Sequence, residues 1–207
     1  MASLKNRSIF KTIREQAYAA SATLAAHYGE PELLDGFGRR NATLLAVAPT
    51  TSSAFILGQV SQSIEPLRSN YYVRDLAKTV MTYKNPALVT LLQSYDQDTT
   101  EVWRSILAHD GSVQHLDFLD EHEKSVFATF CELSQLDLVI QAAQRQEFID
   151  QGQSLNLMIH PDTPASDLNK LYLEAWERGV KSLYYQHSVN AAQTFNQTLL
   201  SCTACEA

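Results

Sequence analysis

The most informative stretch of the chain runs from Arg40 to Gly58 and reads RNATLLAVAPTTSSAFILG. Its apolar part, residues 43–48, is short and stops at Pro49, which cannot donate to a β ladder, so we predict a buried strand that ends there. A polar loop follows, with the sequence Thr50-Thr51-Ser52-Ser53. Hydroxyls and backbone N–H groups between a strand and a helix suit a phosphate, but serine and threonine are also ordinary helix caps, so the loop alone leaves both interpretations open.

The remainder of the chain is predicted to be mostly helical. Only 7 Gly and 6 Pro interrupt it, and apolar residues recur near the helical period. The expected helices run from Ser8 to just before Gly29, from Pro86 after the cap Asn85, through Ile106 to the turn Asp110-Gly111, from Glu121 to Arg145, and from Ser166 to Val180. The Glu121–Arg145 helix is apolar on most faces, so we expect it in the interior, with Cys131 in the core.

Two more short segments, Ser154–Ile159 and Ser182–Gln186, have the pattern of strands. Together with residues 43–48 they give three isolated strands among long helices. Such strands make a poor sheet by themselves because each leaves an edge unpaired. We therefore expect strands to be borrowed from, or lent to, another polypeptide.

Composition argues against several classes of function. The chain has 16 basic and 23 acidic side chains, which gives a formal charge of −7, and no basic stripe is present. Nucleic acid is therefore not an expected partner. The longest apolar run, Leu44–Ala48, is far below the roughly 20 residues of a membrane span, and a signal-peptide core is missing. An odd count of 3 cysteines fits a reducing cytosol, so we expect a cytoplasmic protein. The histidines lack ligand spacing and the glycines lack a nucleotide-binding pattern, so neither a metal site nor an autonomous nucleotide fold is predicted.

Two short motifs remain open when each is taken alone. The pair Cys202-x-x-Cys205, at the end of a polar tail, is either a mobile arm that carries a dithiol or an incidental terminus. The pair Tyr184-Tyr185 is either two packed rings or a short radical relay. Adjacent strand residues face opposite sides, so both rings can point into one site only if the backbone there is irregular.

Read in order, these segments resemble the C-terminal part of the large, catalytic subunit of class I ribonucleotide reductase. Residues 40–58 are similar to the family's strand and substrate-phosphate loop, and the matching segments that follow are Ser63–Pro66, Phe148–Asn156, Gly179–Tyr185 and the paired tail cysteines. The resemblance implies a predominantly helical α/β fold that forms the C-terminal portion of the family's ten-stranded α/β barrel and is incomplete on its own. Residues 1–195 would belong to this barrel domain and residues 196–207 to a flexible redox-active tail.

The resemblance also implies a role for each motif. Pro49, Thr50, Thr51, Ser52 and Ser53 would bind the diphosphate of a ribonucleoside diphosphate. Tyr184 and Tyr185 would be the last relay for an oxidising equivalent from the small, radical-generating subunit. Cys202 and Cys205 would reduce the active-site disulfide and would themselves be reduced by thioredoxin or glutaredoxin. No cofactor is expected on this chain, because the radical and its dimetal centre belong to the small subunit.

Other parts of the family's machinery have no counterpart in this sequence. The resemblance calls for a thiyl-radical cysteine flanked by asparagine and glutamate, and for two reducing cysteines on the barrel, and Cys131 lies in the wrong context to replace any of them. Because the sequence begins with methionine and closes with the tail, we expect a split large subunit, in the host cytoplasm if viral, that is active only with an N-terminal partner chain. The alternative is a non-catalytic helical interaction module with a terminal redox dithiol.

Overall fold

The computed structural model describes residues 2–58, 61–76 and 79–188, which form two compact units. The first unit contains the described residues of 1–64 together with 134–157 and 162–187, and the second contains those of 65–133 together with 158–161 and 188. The helices are α1 (Ala2–Tyr28), α2 (Thr51–Ile56), α3 (Pro86–Ser94), α4 (Thr100–Ala108), α5 (Glu121–Val126), α6 (Gln135–Gln146) and α7 (Ala165–Glu177). The strands are β1 (Tyr71–Leu76), β2 (Thr79–Lys84), β3 (Leu157–Met158) and β4 (Gln186–His187).

The first unit is built on α1, which packs against α6, and α6 in turn packs against α7. The prediction that Ser8 caps the first helix is wrong. Residues 2–7 contain no helix breaker, so the helix continues through them to Ala2. Its end is confirmed, since Gly29 adopts a φ of +76° and its N–H donates to the carbonyl of Ala25 at 2.8 Å.

The predicted strand at residues 43–48 is extended but only partly paired. The N–H of Val47 donates to Gly152 at 3.2 Å, the N–H of Ser154 donates to Val47 at 2.9 Å, and together they form a single parallel bridge between Val47 and Gln153. Leu45 is buried, whereas Ala46 and Ala48 are exposed, so the prediction of a wholly buried strand is wrong. Among the described residues, the segment is paired along one edge only, with residues 151–154.

The other two predicted strands are shorter than expected. β3 and β4 have two residues each and pair in one small sheet, with Leu157 donating to the carbonyl of Tyr185 at 2.9 Å. The last helix is confirmed as α7, although it ends before Gly179, whose φ is +76°, so that Val180 lies beyond it. No barrel closes among the residues that the structure describes.

The second unit contains a hairpin that the sequence analysis did not predict. β1 and β2 pair antiparallel, in a register that places Tyr71 opposite Lys84 and Tyr72 opposite Tyr83. The run of aromatic and β-branched residues between 71 and 83 is the signal that could have revealed it. The helix start at Asn85 is confirmed, since its side chain accepts a hydrogen bond from the N–H of Ala87 at 3.1 Å.

A single apolar cluster forms the interior of the second unit. It comprises Leu88, Leu92, Trp103, Ile106, Val113, Leu116 and Leu119. The first two residues come from α3 and the next two from α4, in agreement with the apolar periods of both helices. The spacing of the apolar residues in α3 also favours an inward position for Tyr95, but this residue is 40% exposed.

The predicted long helix from Glu121 to Arg145 is wrong. The chain forms α5, a single 3-10 turn at Phe130–Glu132 and then α6. Capping side chains explain the interruptions: Thr129 and Glu132 form one capping box, and Ser134 accepts a hydrogen bond from the N–H of Asp137 at the start of α6. Cys131 is exposed, so its assignment to the core is also wrong.

Within the described part of the chain, no helix has both the length and the apolar character needed to span a membrane.

Candidate functional site

The predicted phosphate loop forms the start of α2 in the first unit. Thr50 precedes the helix with a φ of 45°, and its carbonyl accepts the first helical hydrogen bond, from the N–H of Ala54, at 3.0 Å. Thr51, Ser52 and Ser53, predicted as loop residues, are the first residues of the helix. Within the described ranges their N–H groups meet no hydrogen-bond acceptor, as is usual for the first turn of a helix.

The hydroxyl of Thr50 does not cap the helix. Its Oγ1 instead accepts a hydrogen bond from the N–H of Ser63 at 2.7 Å, and the hydroxyl of Thr51 donates to Oε1 of Gln62 at 3.3 Å. Pro49 is half-buried and Thr50 to Ser53 are exposed, whereas Ala54 just behind them is buried. The segment therefore presents the N–H groups of Thr51, Ser52 and Ser53 to solvent, while the buried Ala54 anchors it from behind.

The two predicted relay tyrosines lie against each other. The ring centroids of Tyr184 and Tyr185 are 4.2 Å apart, with an angle of 57° between the ring planes, and the side chains are 49% and 58% exposed. The regular strand β4 begins only at Gln186, so the irregular backbone that this contact requires is present. A hydrogen bond between the phenols raises the pKa of Tyr184 above its ordinary value, because it stabilises the protonated form.

Hydrogen bonds hold the backbone N–H groups of both tyrosines. The N–H of Tyr184 donates to the carbonyl of Leu155 at 2.8 Å, and the N–H of Tyr185 donates to Oδ1 of Asn156 at 3.1 Å. Asn156 is buried, and the sequence analysis included it in a matching segment without assigning it a role. Its position directly before an apolar strand residue is the only signal that could have identified it.

A second side chain missed by the sequence analysis fixes the extended segment that leads to the loop. Oδ2 of Asp150 accepts hydrogen bonds from the N–H groups of Leu44 and Leu45 at 2.8 and 3.2 Å, and Oδ1 accepts one from the hydroxyl of Tyr18 at 2.8 Å. Burial by itself raises the pKa of Asp150, but these hydrogen bonds outweigh it and hold the pKa below its ordinary value. The charged carboxylate thus ties α1 to residues 44 and 45.

The two described groups of predicted site residues, the tyrosine pair and residues 49–53, are not in contact with each other. Cys202 and Cys205 lie outside the described residues. Between the tyrosine pair and residues 49–53 there is no hydrogen bond or ring contact within the described ranges. The part of the chain that is described also holds no group of three or more His, Cys, Asp and Glu side chains that could bind a metal ion.

Residues 31–186 match the family model described as the barrel domain of ribonucleotide reductase. The chain belongs to the ribonucleotide reductase large-subunit family. It is 43% identical over 189 residues to the ribonucleoside-diphosphate reductase large subunit of Invertebrate iridescent virus 3, a match that covers 89% of this chain and 30% of the relative. It is 39% identical over 206 residues to the putative large subunit of Frog virus 3, covering 96% of this chain and 36% of the relative.

A solved structure supports the same membership. The alpha subunit of the Actinobacillus ureae class Id ribonucleotide reductase superposes with a TM-score of 0.85 at 57% identity, over 94% of this chain and 35% of that chain. The chain therefore spans about a third of the length of these ribonucleotide reductase relatives. The predicted fold class is confirmed: this is a predominantly helical α/β portion of the reductase barrel that is incomplete on its own.

Proposed function

We propose that this chain supplies three elements to a ribonucleoside-diphosphate reductase, the enzyme that converts ribonucleoside diphosphates to deoxyribonucleoside diphosphates. These elements are the substrate-phosphate loop Pro49–Ser53, the tyrosine relay Tyr184–Tyr185 and the tail dithiol Cys202–Cys205. The proposal rests on family membership, which the match over residues 31–186 shows, together with the resemblance of the motifs in the sequence to those of the family. The contact between the two tyrosine rings is the observation that carries it, because adjacent residues on a regular strand would face apart.

The chain is proposed to act with the N-terminal portion of a large subunit, on a partner chain. The N–H and C=O groups of Ala46 and Ala48 have no hydrogen-bond partner among the described residues, so one edge of the extended segment is open to another strand. In the described part of the first unit, large apolar side chains such as Ile9, Ile13 and Leu57 are exposed. A missing layer of the barrel would cover surface of this kind.

In the relay, each tyrosine must lose an electron and a proton together. A phenol whose pKa is raised stays neutral near pH 7, so a charged phenolate is not available as an intermediate at Tyr184. The proton is proposed to pass between the two phenol oxygens, since the ring centroids lie only 4.2 Å apart. A radical on one ring is reduced as it takes both particles from its neighbour, and the neighbour becomes the radical. The oxidising equivalent is proposed to come from the small, radical-generating subunit.

At the loop, the diphosphate would be bound by hydrogen-bond donors alone. The N–H groups of Thr51, Ser52 and Ser53 and the hydroxyls of Thr50, Ser52 and Ser53 belong to exposed residues in front of buried Ala54, and phosphate oxygens are acceptors. These contacts are equally available in the ground state and the transition state. The loop is therefore expected to set KM for the nucleotide more than kcat.

The test is reduction of CDP by this chain mixed with an N-terminal large-subunit portion, the small subunit and thioredoxin. Each component is omitted in turn. We expect deoxyCDP to form only in the complete mixture, at a rate that depends on this chain. Assembly of all components without any turnover would contradict the proposal and would favour a helical interaction module with a redox dithiol.

The tail dithiol is tested by changing the reductant. Replacement Cys202→Ser is expected to stop turnover driven by thioredoxin or glutaredoxin while sparing turnover driven by a small dithiol, which can reach the active-site disulfide directly. Cys131→Ser is the matched control, because this cysteine is exposed and belongs to no proposed element. Equal loss with both reductants in Cys202→Ser would remove the tail from the proposal.

A further inference from the structure

Ser63 contacts the phosphate loop although it lies 13 residues after Thr50 in the chain. Its N–H donates to Oγ1 of Thr50 at 2.7 Å. Both residues are in the left-handed region, with φ values of 45° for Thr50 and 52° for Ser63. Residues other than glycine adopt this conformation rarely and keep it only where their surroundings enforce it. The hydrogen bond joins the two left-handed residues, so each helps to hold the conformation of the other.

This contact also leaves the Thr50 hydroxyl as a donor for its next hydrogen bond. A threonine at the start of a helix ordinarily accepts a hydrogen bond from an N–H of the first turn, but this hydroxyl makes no such bond. Because its oxygen accepts from Ser63, its own proton remains available for an external acceptor. A hydroxyl that accepts one hydrogen bond is polarised and donates the next one more strongly. A phosphate oxygen is an acceptor of the required kind.

We propose that Ser63 is a positioning residue for the phosphate loop. Its main-chain N–H holds Thr50 in the left-handed conformation and makes the Thr50 hydroxyl a donor toward the diphosphate of the nucleotide. This inference rests on the proposed function, which supplies the diphosphate. The hydroxyl of Ser63 itself is buried and has no hydrogen-bond partner among the described residues, so the role belongs to its main chain and not to its side chain.

That distinction gives opposite expectations for two substitutions at one position. In Ser63→Gly the N–H is retained and a positive φ carries no penalty, so binding of the nucleotide should be preserved. In Ser63→Val the β-branched side chain strongly disfavours a φ near 52°, so the N–H is expected to move away from Thr50. Thr50→Val is the third variant. It keeps the β-branched shape and replaces the hydroxyl group by a methyl group.

The kinetic test uses the reconstituted reductase with CDP as the varied substrate. Ser63→Val and Thr50→Val are each expected to raise KM about fivefold to tenfold, the range of one lost hydrogen bond, with kcat changed by less than about twofold. Ser63→Gly is expected to keep the wild-type KM. An unchanged KM in both Ser63→Val and Thr50→Val would overturn the proposal, and so would a loss in Ser63→Gly equal to that in Ser63→Val.

A second measurement reports on the contact without any activity. Hydrogen exchange at the Ser63 amide of the full chain is expected to be slow in the wild type and at least about tenfold faster in Thr50→Val, where the acceptor is missing. If the wild-type reductase is active and Thr50→Val leaves this exchange unchanged, the positioning role alone fails. If the exchange behaves as expected and the complete mixture has no reductase activity, the proposed function fails and the positioning role falls with it.

Discussion

The two units differ in the balance of apolar and polar residues in their interiors. In the second unit, seven buried apolar residues pack into one cluster around Trp103, which is 2% exposed. In the first unit, Arg145, Gln146, Gln153 and Asn156 are buried alongside the apolar residues. The side-chain amide of Gln153 donates to the carbonyl of Ala142 at 2.8 Å and to Oε1 of Gln146 at 3.1 Å, while its oxygen accepts from Arg145 at 3.1 Å.

This difference affects stability and geometry in different ways. Apolar burial has no direction, so it stabilises the second unit as a whole, while the backbone there is fixed by hydrogen bonds such as those from the side-chain amide of buried Asn70 to the carbonyls of Gly111 and Phe127, at 3.0 and 2.7 Å. Hydrogen bonds are directional, and in the first unit they hold the extended segments that carry the loop and the tyrosines. Apart from Val73, Tyr95 and Val126, the exposed large apolar side chains among the described residues also lie in the first unit. The unit with the candidate site is thus the one with the less complete core.

Removing a phenol hydroxyl from the relay is the change with the largest expected effect. Tyr184→Phe and Tyr185→Phe should each abolish CDP reduction in the reconstituted complex, because a phenylalanine cannot pass a proton and an electron. Both side chains are about half exposed, so the free energy of unfolding should change by less than about 0.5 kcal/mol. Normal turnover in either variant would remove that residue from the relay. A large loss of stability would contradict the expectation that these exposed rings contribute little to the fold of the first unit.

The two tryptophans of the chain give a matched pair for stability. Trp103 is buried, donates from Nε1 to Asp98 at 2.7 Å and has the ammonium of Lys84 4.5 Å from its ring centroid, so Trp103→Ala should cost about 3–5 kcal/mol. Trp176 is 74% exposed, so Trp176→Ala should cost less than about 0.5 kcal/mol. Urea unfolding followed by circular dichroism measures both. Equal costs would contradict the assignment of the apolar core to the second unit.

The first unit should be sensitive to acid through Asp150. Its pKa is lowered on folding, so its stabilising contribution is present above its ordinary pKa of 3.8 and is lost as the pH falls through the lower, folded value. Asp150→Asn should therefore cost about 1–3 kcal/mol at pH 7 and should weaken the acid-dependent part of unfolding. Glu147→Gln is the control. Its salt bridge to Arg7 is exposed and should contribute less than about 1 kcal/mol.

The second unit should respond at a higher pH, through His115, and this is the smallest expected effect. Burial, and then the ring of His109 stacked 3.7 Å away, lower the pKa of His115, while Asp117 opposes this shift and Lys124 adds to it. The folded state therefore disfavours the proton. Stability is full above the ordinary pKa of 6.5 and falls as the pH drops below it. His115→Gln should flatten the pH dependence of the free energy of unfolding between about pH 7 and 5.

Local chemistry in the sequence identified the features that depend on only a few neighbouring residues. The start of α3 at Asn85, the end of α1 at Gly29 and the helix α7 follow from capping, glycine and the apolar period. The predicted long helix from Glu121 to Arg145 failed because a polar side chain had been overlooked. Ser134, which caps α6, interrupts what an apolar pattern alone presents as one long helix.

The sequence by itself also determined the family, because the matching segments occur in a fixed order along the chain. Only the tertiary structure decided which groups meet. The contact of Ser63 with Thr50, the support of Tyr185 by Asn156 and the tie from Asp150 to Leu44 each join residues that are far apart in the chain. Such contacts depend on where the backbone turns and which donor is left without a helical partner. That is settled when the segments pack, and it is not encoded in any local pattern of residues.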